Sequence, residues 1–84
     1  MMIQIKDVEY LSDYKLELIF STGEAFIVDL KNSLDAPAYR DLLDREKFIQ
    51  FGLVRGTLEW YNQADFAPEY LYEIAKKQNK VHTG

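Results

Sequence analysis

The chain has 84 residues, of which 48% are hydrophobic and 14% aromatic, and it carries no cysteine and a formal net charge of −4. This length fits one domain, the lack of cysteine excludes disulfides and thiolate metal sites, and the negative charge argues against nucleic acid as the main partner. No apolar run reaches the length of a membrane span, so we expect a cytoplasmic protein without membrane contact, folded over residues 1–80 with a frayed tail over residues 81–84.

The first segment of the chain has the apolar alternation of a β-strand. Ile3 and Ile5 alternate with polar residues, and the apolar phase then shifts to Val8 and Tyr10. A shift of phase within one strand is typical of a bulge, because one extra residue moves the following side chains to the opposite face. We therefore predict one strand with a bulge or a bend near Asp7.

Two further alternating segments follow, at residues 15–20 and 26–30. Residues 11–14 and 21–24 separate the three segments and are rich in turn-forming side chains, and Gly23 can adopt the positive φ that a tight turn needs. Three alternating segments joined by short turns predict an antiparallel meander. The first segment is an edge strand of that meander, which leaves its main chain open to pairing with a second copy.

The middle of the chain has helical spacing. Pro37 fits the first turn of a helix, where a missing N–H costs nothing. Tyr39, Leu42 and Leu43 follow at spacings of three and four, which places them on one stripe of a short helix. Apolar side chains within residues 48–54 then lead back to extended structure.

The last third of the sequence combines a strand with a regular helix. After a turn at residues 55–57, Leu58 and Trp60 point to one face. Asp65 or Ala67 caps the final helix, and Asp65 is the better side-chain cap because its carboxylate accepts main-chain N–H groups. The helix then has an apolar stripe formed by Leu71, Ile74 and Ala75. Its basic end is formed by Lys76, Lys77 and Lys80.

These segments occur in the order β-β-β-α-β-β-α. Helices that follow and interrupt runs of strands joined by tight turns are typical of the α+β class. The sequence therefore predicts a small, mainly antiparallel sheet with the helices packed on one face.

The sequence contains no set of residues that would form an active site. Its single histidine, His82, lies in the predicted tail, where a solvated role is the simplest account. Glu59, Asp65 and Glu69 lie close in sequence and could do acid–base work at the strand-to-helix turn. Capping by Asp65, compensation of the helix dipole by Glu69 and a solvent-facing position for Glu59 explain the same residues more simply. We therefore expect no catalysis and no bound metal or cofactor.

Aromatic residues are concentrated between positions 60 and 72. We predict that Trp60 and Phe66 are buried. Tyr61, and one of Tyr70 and Tyr72, should reach the surface, and exposed aromatics beside polar groups are typical of binding surfaces. The predicted partner is another protein, and the predicted binding residues are Glu59, Tyr61, Asn62 and Tyr70.

An alternative partner is nucleic acid, bound by the basic end of the last helix. Lys76, Lys77 and Lys80 would contact phosphates in a nucleic-acid-associated accessory protein. No aromatic residues alternate with these lysines to stack on bases, and a lysine-rich helix end explains them more simply. A homodimer formed through the edge strand is a further alternative.

Two groups of motifs carry a resemblance to a known family. The C-terminal group consists of Gly56-Thr-Leu-Glu-Trp60, Asn62, Asp65, Pro68-Glu69 and Leu71-Tyr72. The upstream group consists of Tyr14-Lys-Leu-Glu-Leu-Ile-Phe20, Gly23-Glu24 and Asp29-Leu30. Together, from about residue 8 to residue 72, they resemble the bacterial Domain of Unknown Function 2442 family. The sequence departs from the family pattern at Tyr61, where the family often has proline.

The resemblance implies a compact α+β fold in a bacterial, cytoplasmic protein without an established activity. The genes of family members resemble companions of other small genes, including those of toxin–antitoxin pairs. This resemblance implies an antitoxin-like or regulatory role toward another small protein. Some longer relatives resemble proteins that carry a helix-turn-helix module after this domain. Because the chain ends before such a module, we expect no DNA binding by that route.

Overall fold

The computed structural model describes residues 2–61 and 64–79, which fold into strands, α-helices and 3₁₀ helices. In chain order the elements are β1 (Ile5–Ser12), β2 (Lys15–Phe20), β3 (Ala25–Asp29), two 3₁₀ helices (Lys31–Leu34 and Pro37–Leu43), α1 (Arg45–Phe48), β4 (Phe51–Val54), β5 (Thr57–Trp60), β6 (Asp65–Phe66) and α2 (Pro68–Gln78). The predicted α+β class is confirmed.

Within the described residues the strands form two antiparallel sheets of three strands each. The first sheet has the order β1-β2-β3 and the second has the order β4-β5-β6. The strands are thus divided between two sheets instead of forming one, because the helical turns between β3 and β4 separate the two meanders along the chain. Where β1 meets the second sheet, the Ile5 N–H donates to the Gly56 carbonyl oxygen at 2.9 Å.

The turns have the conformations that their residues favour. The register of β1 against β2 shifts between Ile5 and Asp7, which confirms the predicted bulge. Gly23 has a φ of 91° in the turn between β2 and β3, a conformation that glycine adopts without steric cost. Arg55 and Gly56 have φ values of 54° and 80° and join β4 to β5 in a two-residue turn, as type I′ hairpins require.

The hydrophobic core is built by both sheets together with the helices. Its buried members are Ile5, Leu16, Leu18, Phe20, Val28, Leu30, Leu34, Leu42, Phe48, Leu58, Trp60, Ala64, Phe66, Leu71 and Ala75. The predicted alternation in β5 is confirmed, because Leu58 and Trp60 are both buried. The predicted burial of Phe66 is confirmed as well.

Of the two predicted cap residues of α2, Ala67 is correct, and the preferred side-chain cap, Asp65, is wrong. Asp65 lies in β6, where it pairs with Glu59 of β5, and this ladder holds it in extended conformation. The cap position of α2 is Ala67, which makes no side-chain capping bond. Pro68 opens the helix, and its fixed φ helps to start a helix that has no side-chain cap.

The predicted helical stripe in the middle of the chain is only partly correct. Residues 37–43 form a 3₁₀ helix, in which side chains three positions apart lie directly above one another. Tyr39 and Leu42 therefore share a face and pack toward the core, and Leu43 is rotated away from it and exposed. Spacing by three alone does not distinguish a 3₁₀ helix from an α-helix.

Both edges of the first sheet are occupied or blunted. At the β3 edge, the Gln78 side chain bonds the main chain of Asp29 and the Asn79 amide donates to the Ile27 carbonyl oxygen. At the β1 edge, the Ile5 N–H is taken by the turn after β4, and the Val8 N–H donates to Asp7 Oδ1 at 2.9 Å. Strand addition by a second copy would have to displace these bonds.

α2 spans 11 residues and packs against the first sheet. Leu71 and Ala75 are buried and Ile74 is half-buried, in agreement with the predicted stripe. In the part of the chain that the structure describes, no helix has both the length and the apolar character needed to cross a membrane.

Candidate interaction surface

The predicted site begins on the second sheet, where β5 alternates between the core and the outer face. Because Leu58 and Trp60 face the core, Glu59 projects from the opposite face. Glu59 is half-buried and stands directly across the ladder from Asp65 on β6. Two carboxylates in directly opposed positions repel each other, so this face favours a cationic or hydrogen-bond-donating neighbour.

The three carboxylates considered for acid–base chemistry do not converge on one pocket. A surface groove of about 330 Å³ is lined by Asp65 and Glu69 together with Arg55, and Glu59 is not among its lining residues. Across residues 2–61 and 64–79, no group of three or more histidine, cysteine, aspartate or glutamate residues is placed to hold a metal ion.

Tyr61 follows β5 directly and is the most exposed of the predicted binding residues that the structure describes. Its side chain is 54% exposed and makes no hydrogen bond or ring contact with the rest of the described chain. The other described tyrosines all use their hydroxyl in a hydrogen bond and their ring in an aromatic contact; they are Tyr10, Tyr14, Tyr39, Tyr70 and Tyr72. Tyr61 is therefore the tyrosine whose structural role within the described fold is least evident.

Tyr70 is exposed to 42%, but it is anchored within the fold. Its ring stacks on Phe66 at 5.7 Å between centroids, and Tyr39 stacks on the same Phe66 ring at 4.5 Å. Its hydroxyl lies 3.1 Å from the Ser33 hydroxyl. The predicted exposure of Tyr61 is confirmed, and of the two alternatives Tyr70 and Tyr72 it is Tyr70 that is exposed. No described contact joins the side chains of Tyr61 and Tyr70. Asn62, the fourth predicted residue, lies outside the described residues.

The basic end of α2 is partly neutralised by its own neighbours. Lys77 Nζ lies 3.6 Å from Glu73 Oε1, an i,i+4 ion pair on the surface of α2. Lys76 Nζ lies 5.3 Å above the centre of the Tyr72 ring, within the range of a cation–π contact. Both lysines are exposed. Lys80, the third residue of the nucleic-acid alternative, lies outside the described residues, as does His82.

A hydrogen bond between α2 and the β2–β3 turn changes the ionisation of both partners. The Tyr72 hydroxyl donates to Glu24 Oε1, and the Thr22 hydroxyl donates to the same oxygen at 2.8 Å. The bond from Tyr72, followed by that from Thr22, lowers the pKa of Glu24 below its ordinary value, with a smaller contribution from the charge of Lys76. The same bond to Glu24 raises the pKa of Tyr72. Loss of hydration opposes the lowering at Glu24 without reversing it, and it adds to the increase in the pKa of Tyr72.

The outer face of the first sheet carries a surface that was not predicted. Ile19 and Ile27 are 38% and 48% exposed there, beside the carboxylates of Asp7, Glu9 and Glu17. A signal was present in the sequence, because both isoleucines occupy the phase of their strands that alternation assigns to solvent.

The fold and this surface define a small α+β domain without a metal centre in its described residues, and sequence comparison identifies its family. The sequence model of the family described as "Protein of unknown function (DUF2442)" matches residues 5–77. The chain belongs to this family, which confirms the resemblance.

A solved structure shares the fold of this chain. The chain is similar to a crystal structure described as a "putative DNA binding protein" of Nitrosomonas europaea, with a TM-score of 0.79 and 31% sequence identity. The similarity covers 92% of this chain and 51% of that chain, so this chain spans about half the length of that protein. No match was found among curated proteins.

Proposed function

We propose that this chain is a bacterial, cytoplasmic protein-interaction domain that binds another protein through a surface centred on Tyr61. The observation that carries the proposal is the 54% exposure of Tyr61 without a described intramolecular partner, in a fold where the other described tyrosines are engaged. Tyrosine is enriched among the residues that dominate binding energy, because it offers a large rigid area and a hydroxyl at low entropic cost.

The neighbourhood of Tyr61 supports a protein partner. Glu59 lies two residues earlier on the outer face of β5, opposite Asp65. A partner that places a basic or hydrogen-bond-donating side chain beside these carboxylates would relieve their repulsion while Tyr61 is buried. The family resemblance favours a small protein as this partner. It would be either the toxin of a toxin–antitoxin pair or a protein that this chain regulates.

The experiment is affinity capture of the tagged full chain from the native cytoplasm, followed by identification of both protein and nucleic acid. The binding of a stoichiometric protein is then measured by calorimetry with purified components. Tyr61→Ala should weaken it by roughly tenfold or more, the effect expected of a central tyrosine anchor. Tyr10→Phe is the control, because it keeps the ring contact with Phe48 and removes only a hydroxyl on the first sheet; it should leave affinity nearly unchanged. Equal affinity of Tyr61→Ala and the wild type would reject this surface.

Nucleic acid is the second candidate, because the similar Nitrosomonas europaea protein is described as a DNA-binding protein. Within this chain, Lys76 and Lys77 are the described lysines of the basic helix end, and each has an intramolecular neighbour in Tyr72 or Glu73. Binding of labelled DNA or RNA that weakens steeply with added salt, and that is lost in a Lys76→Ala, Lys77→Ala double variant, would favour this candidate over the first.

A further inference from the structure

The outer face of the first sheet has an apolar centre with an acidic border. Antiparallel register places Ile19 and Ile27 on diagonal positions of neighbouring strands, close enough for their side chains to form one apolar spot. The carboxylates on the same face belong to β1 and β2. This surface, the acidic sheet face, consists of Asp7, Glu9, Glu17, Ile19 and Ile27.

The carboxylates of the acidic sheet face are not neutralised within the described fold. Glu9 stands directly opposite Glu17 in the β1–β2 ladder, an arrangement of like charges that destabilises the free sheet. The ion pairs of the described residues involve other carboxylates, those of Asp13 and Glu73. Lys15 is the basic residue of β2 on this side of the sheet, and it pairs across the ladder with Asp29.

The open face of the first sheet is more accessible to a partner than its edges, because existing hydrogen bonds cover part of each edge. The β3 edge is covered by the Gln78 and Asn79 side chains, and the Ile5 and Val8 N–H groups of β1 are already bonded. Strand addition therefore requires the loss of existing bonds, but docking on the open face requires none. The inner face is filled by the core.

We propose that the acidic sheet face binds a basic amphipathic helix of a partner protein. The apolar stripe of that helix covers Ile19 and Ile27, and its lysine or arginine side chains lie beside Glu9 and Glu17. Three strands about 4.8 Å apart give a face about 10 Å wide, which matches the diameter of one helix at about 10 Å. The inference rests on the proposed protein-interaction role, and it adds a second surface on the other sheet from Tyr61.

The test uses a defined probe instead of an unidentified partner. A synthetic peptide of about 18 leucine and lysine residues, long enough for a helix, is titrated into the isotopically labelled full chain and followed by NMR. Its leucines follow helical i, i+3, i+4 spacing. Two control peptides have glutamate in place of lysine or the same composition in scrambled order. We expect saturable shifts at the amides of Ile19 and Ile27, only with the amphipathic basic peptide, and an affinity that falls with salt.

Two double variants test the two halves of the surface. Glu9→Gln with Glu17→Gln removes the opposed charges, and Ile19→Thr with Ile27→Thr removes the apolar spot while keeping β-branched side chains. Each double variant should weaken the binding of the peptide by roughly tenfold, which corresponds to about 1.4 kcal/mol. The matched control replaces exposed carboxylates outside the sheet, Asp41→Asn with Glu46→Gln, and should change the affinity less than twofold. All these positions are exposed or half-buried, so thermal melting should confirm that every variant is folded.

Several outcomes would overturn the inference. Three results would reduce the interaction to general attraction of cations. The NMR shifts could map elsewhere on the chain, or the control variant could lose as much peptide affinity as the two test variants. Affinity could also fall in the glutamine variant but not in the threonine variant. Self-association that the threonine variant abolishes would assign the face to a second copy. A captured protein that binds both double variants as tightly as wild type would reject this face and leave the protein-interaction role standing. Failure of wild type to capture any protein would count against that role instead, whatever the peptide does.

Discussion

The side-chain amide of Gln78 pairs with the main chain of Asp29 through two hydrogen bonds. Gln78 Oε1 accepts from the Asp29 N–H at 2.7 Å, and Gln78 Nε2 donates to the Asp29 carbonyl oxygen at 2.9 Å. A neighbouring strand would offer one peptide N–H and one carbonyl in the same way. Asn79 adds a bond from its amide to the Ile27 carbonyl oxygen at 2.8 Å. The end of α2 therefore replaces a strand at the edge of the first sheet.

The first prediction concerns this substitute strand. Gln78→Ala should lower the free energy of unfolding by about 1 kcal/mol, because two partly solvated bonds are lost and water replaces them incompletely. It should also expose the β3 edge and promote self-association. Urea unfolding and sedimentation velocity measure the two effects. Gln50→Ala is the matched control, since the Gln50 amide also bonds a main-chain carbonyl, that of Glu46, but at a helix end; unchanged sedimentation of Gln78→Ala would contradict the edge-covering role.

The second prediction ranks three glycine substitutions. Gly56 has a φ of 80°, and an added Cβ would lie 2.7 Å from Gln4 Cβ, so Gly56→Ala combines backbone strain with a clash. Gly23 has a φ of 91° and open space around an added Cβ, so Gly23→Ala should cost only the strain, about 1–2 kcal/mol. Gly52→Ala meets neither obstacle and should change the free energy of unfolding by less than about 0.5 kcal/mol.

The expected order of destabilisation is therefore Gly56→Ala, then Gly23→Ala, then Gly52→Ala. Urea unfolding of the three variants under identical conditions gives the ranking. If Gly23→Ala were as damaging as Gly56→Ala, the contact between Gly56 and Gln4 would contribute nothing beyond the φ value.

The features predicted correctly from the sequence are those encoded by local periodicity. Alternation identified the three strands of the first sheet, and the change of phase after Ile5 located the bulge at Asp7. The glycine at position 23 adopts the positive φ that its turn requires. In each case the physical cause is short-range, because side-chain direction and backbone sterics depend on a few neighbouring residues.

The features that were missed depend on contacts between distant residues. β6 spans only Asp65–Phe66, too short for any alternation, and it is a strand because it pairs with β5. The role of Gln78 is equally invisible locally, since its partner is Asp29 on β3. For the candidate site, exposure of Tyr61 and Tyr70 was predictable from composition and pattern, but the anchoring of Tyr70 by Phe66 and Ser33 was not.

The third prediction concerns the indole of Trp60, which is 3% exposed. Its Nε1–H donates to the Phe48 carbonyl oxygen at 2.7 Å, and its ring contacts Phe66 at 5.7 Å between centroids. Trp60→Phe should lower the free energy of unfolding by about 2–4 kcal/mol, because it leaves a small cavity and a buried carbonyl without its donor. Tyr61→Phe is the matched control at the neighbouring exposed position and should change the free energy of unfolding by less than about 0.5 kcal/mol. Equal urea midpoints for the two variants would contradict this account.

The fourth prediction concerns the pH dependence of stability set by Tyr72 and Glu24. Because the hydrogen bond lowers the pKa of Glu24 in the folded state, it stabilises the fold above the unfolded-state pKa of glutamate, and that contribution is lost as pH falls through the lowered folded value. Because the same bond raises the pKa of Tyr72, its contribution is present below the unfolded-state pKa of tyrosine and is lost as pH rises through the raised folded value. Tyr72→Phe should therefore be less stable than wild type at neutral pH, and the difference should narrow in both acid and alkali.

Two measurements isolate the hydroxyl of Tyr72 from its ring. The ring packs edge-on against Phe20 at 5.1 Å and against Phe26 at 6.2 Å, and phenylalanine preserves both contacts. NMR titration of the Glu24 carboxyl should give a higher pKa in Tyr72→Phe than in wild type, with Tyr70→Phe as the control that leaves it unchanged. Melting temperatures across the pH range should then show the difference from wild type passing through a maximum between the two pKa values. If the pKa of Glu24 were the same with and without the Tyr72 hydroxyl, the hydrogen bond could not be the cause of the change in stability in either acid or alkali.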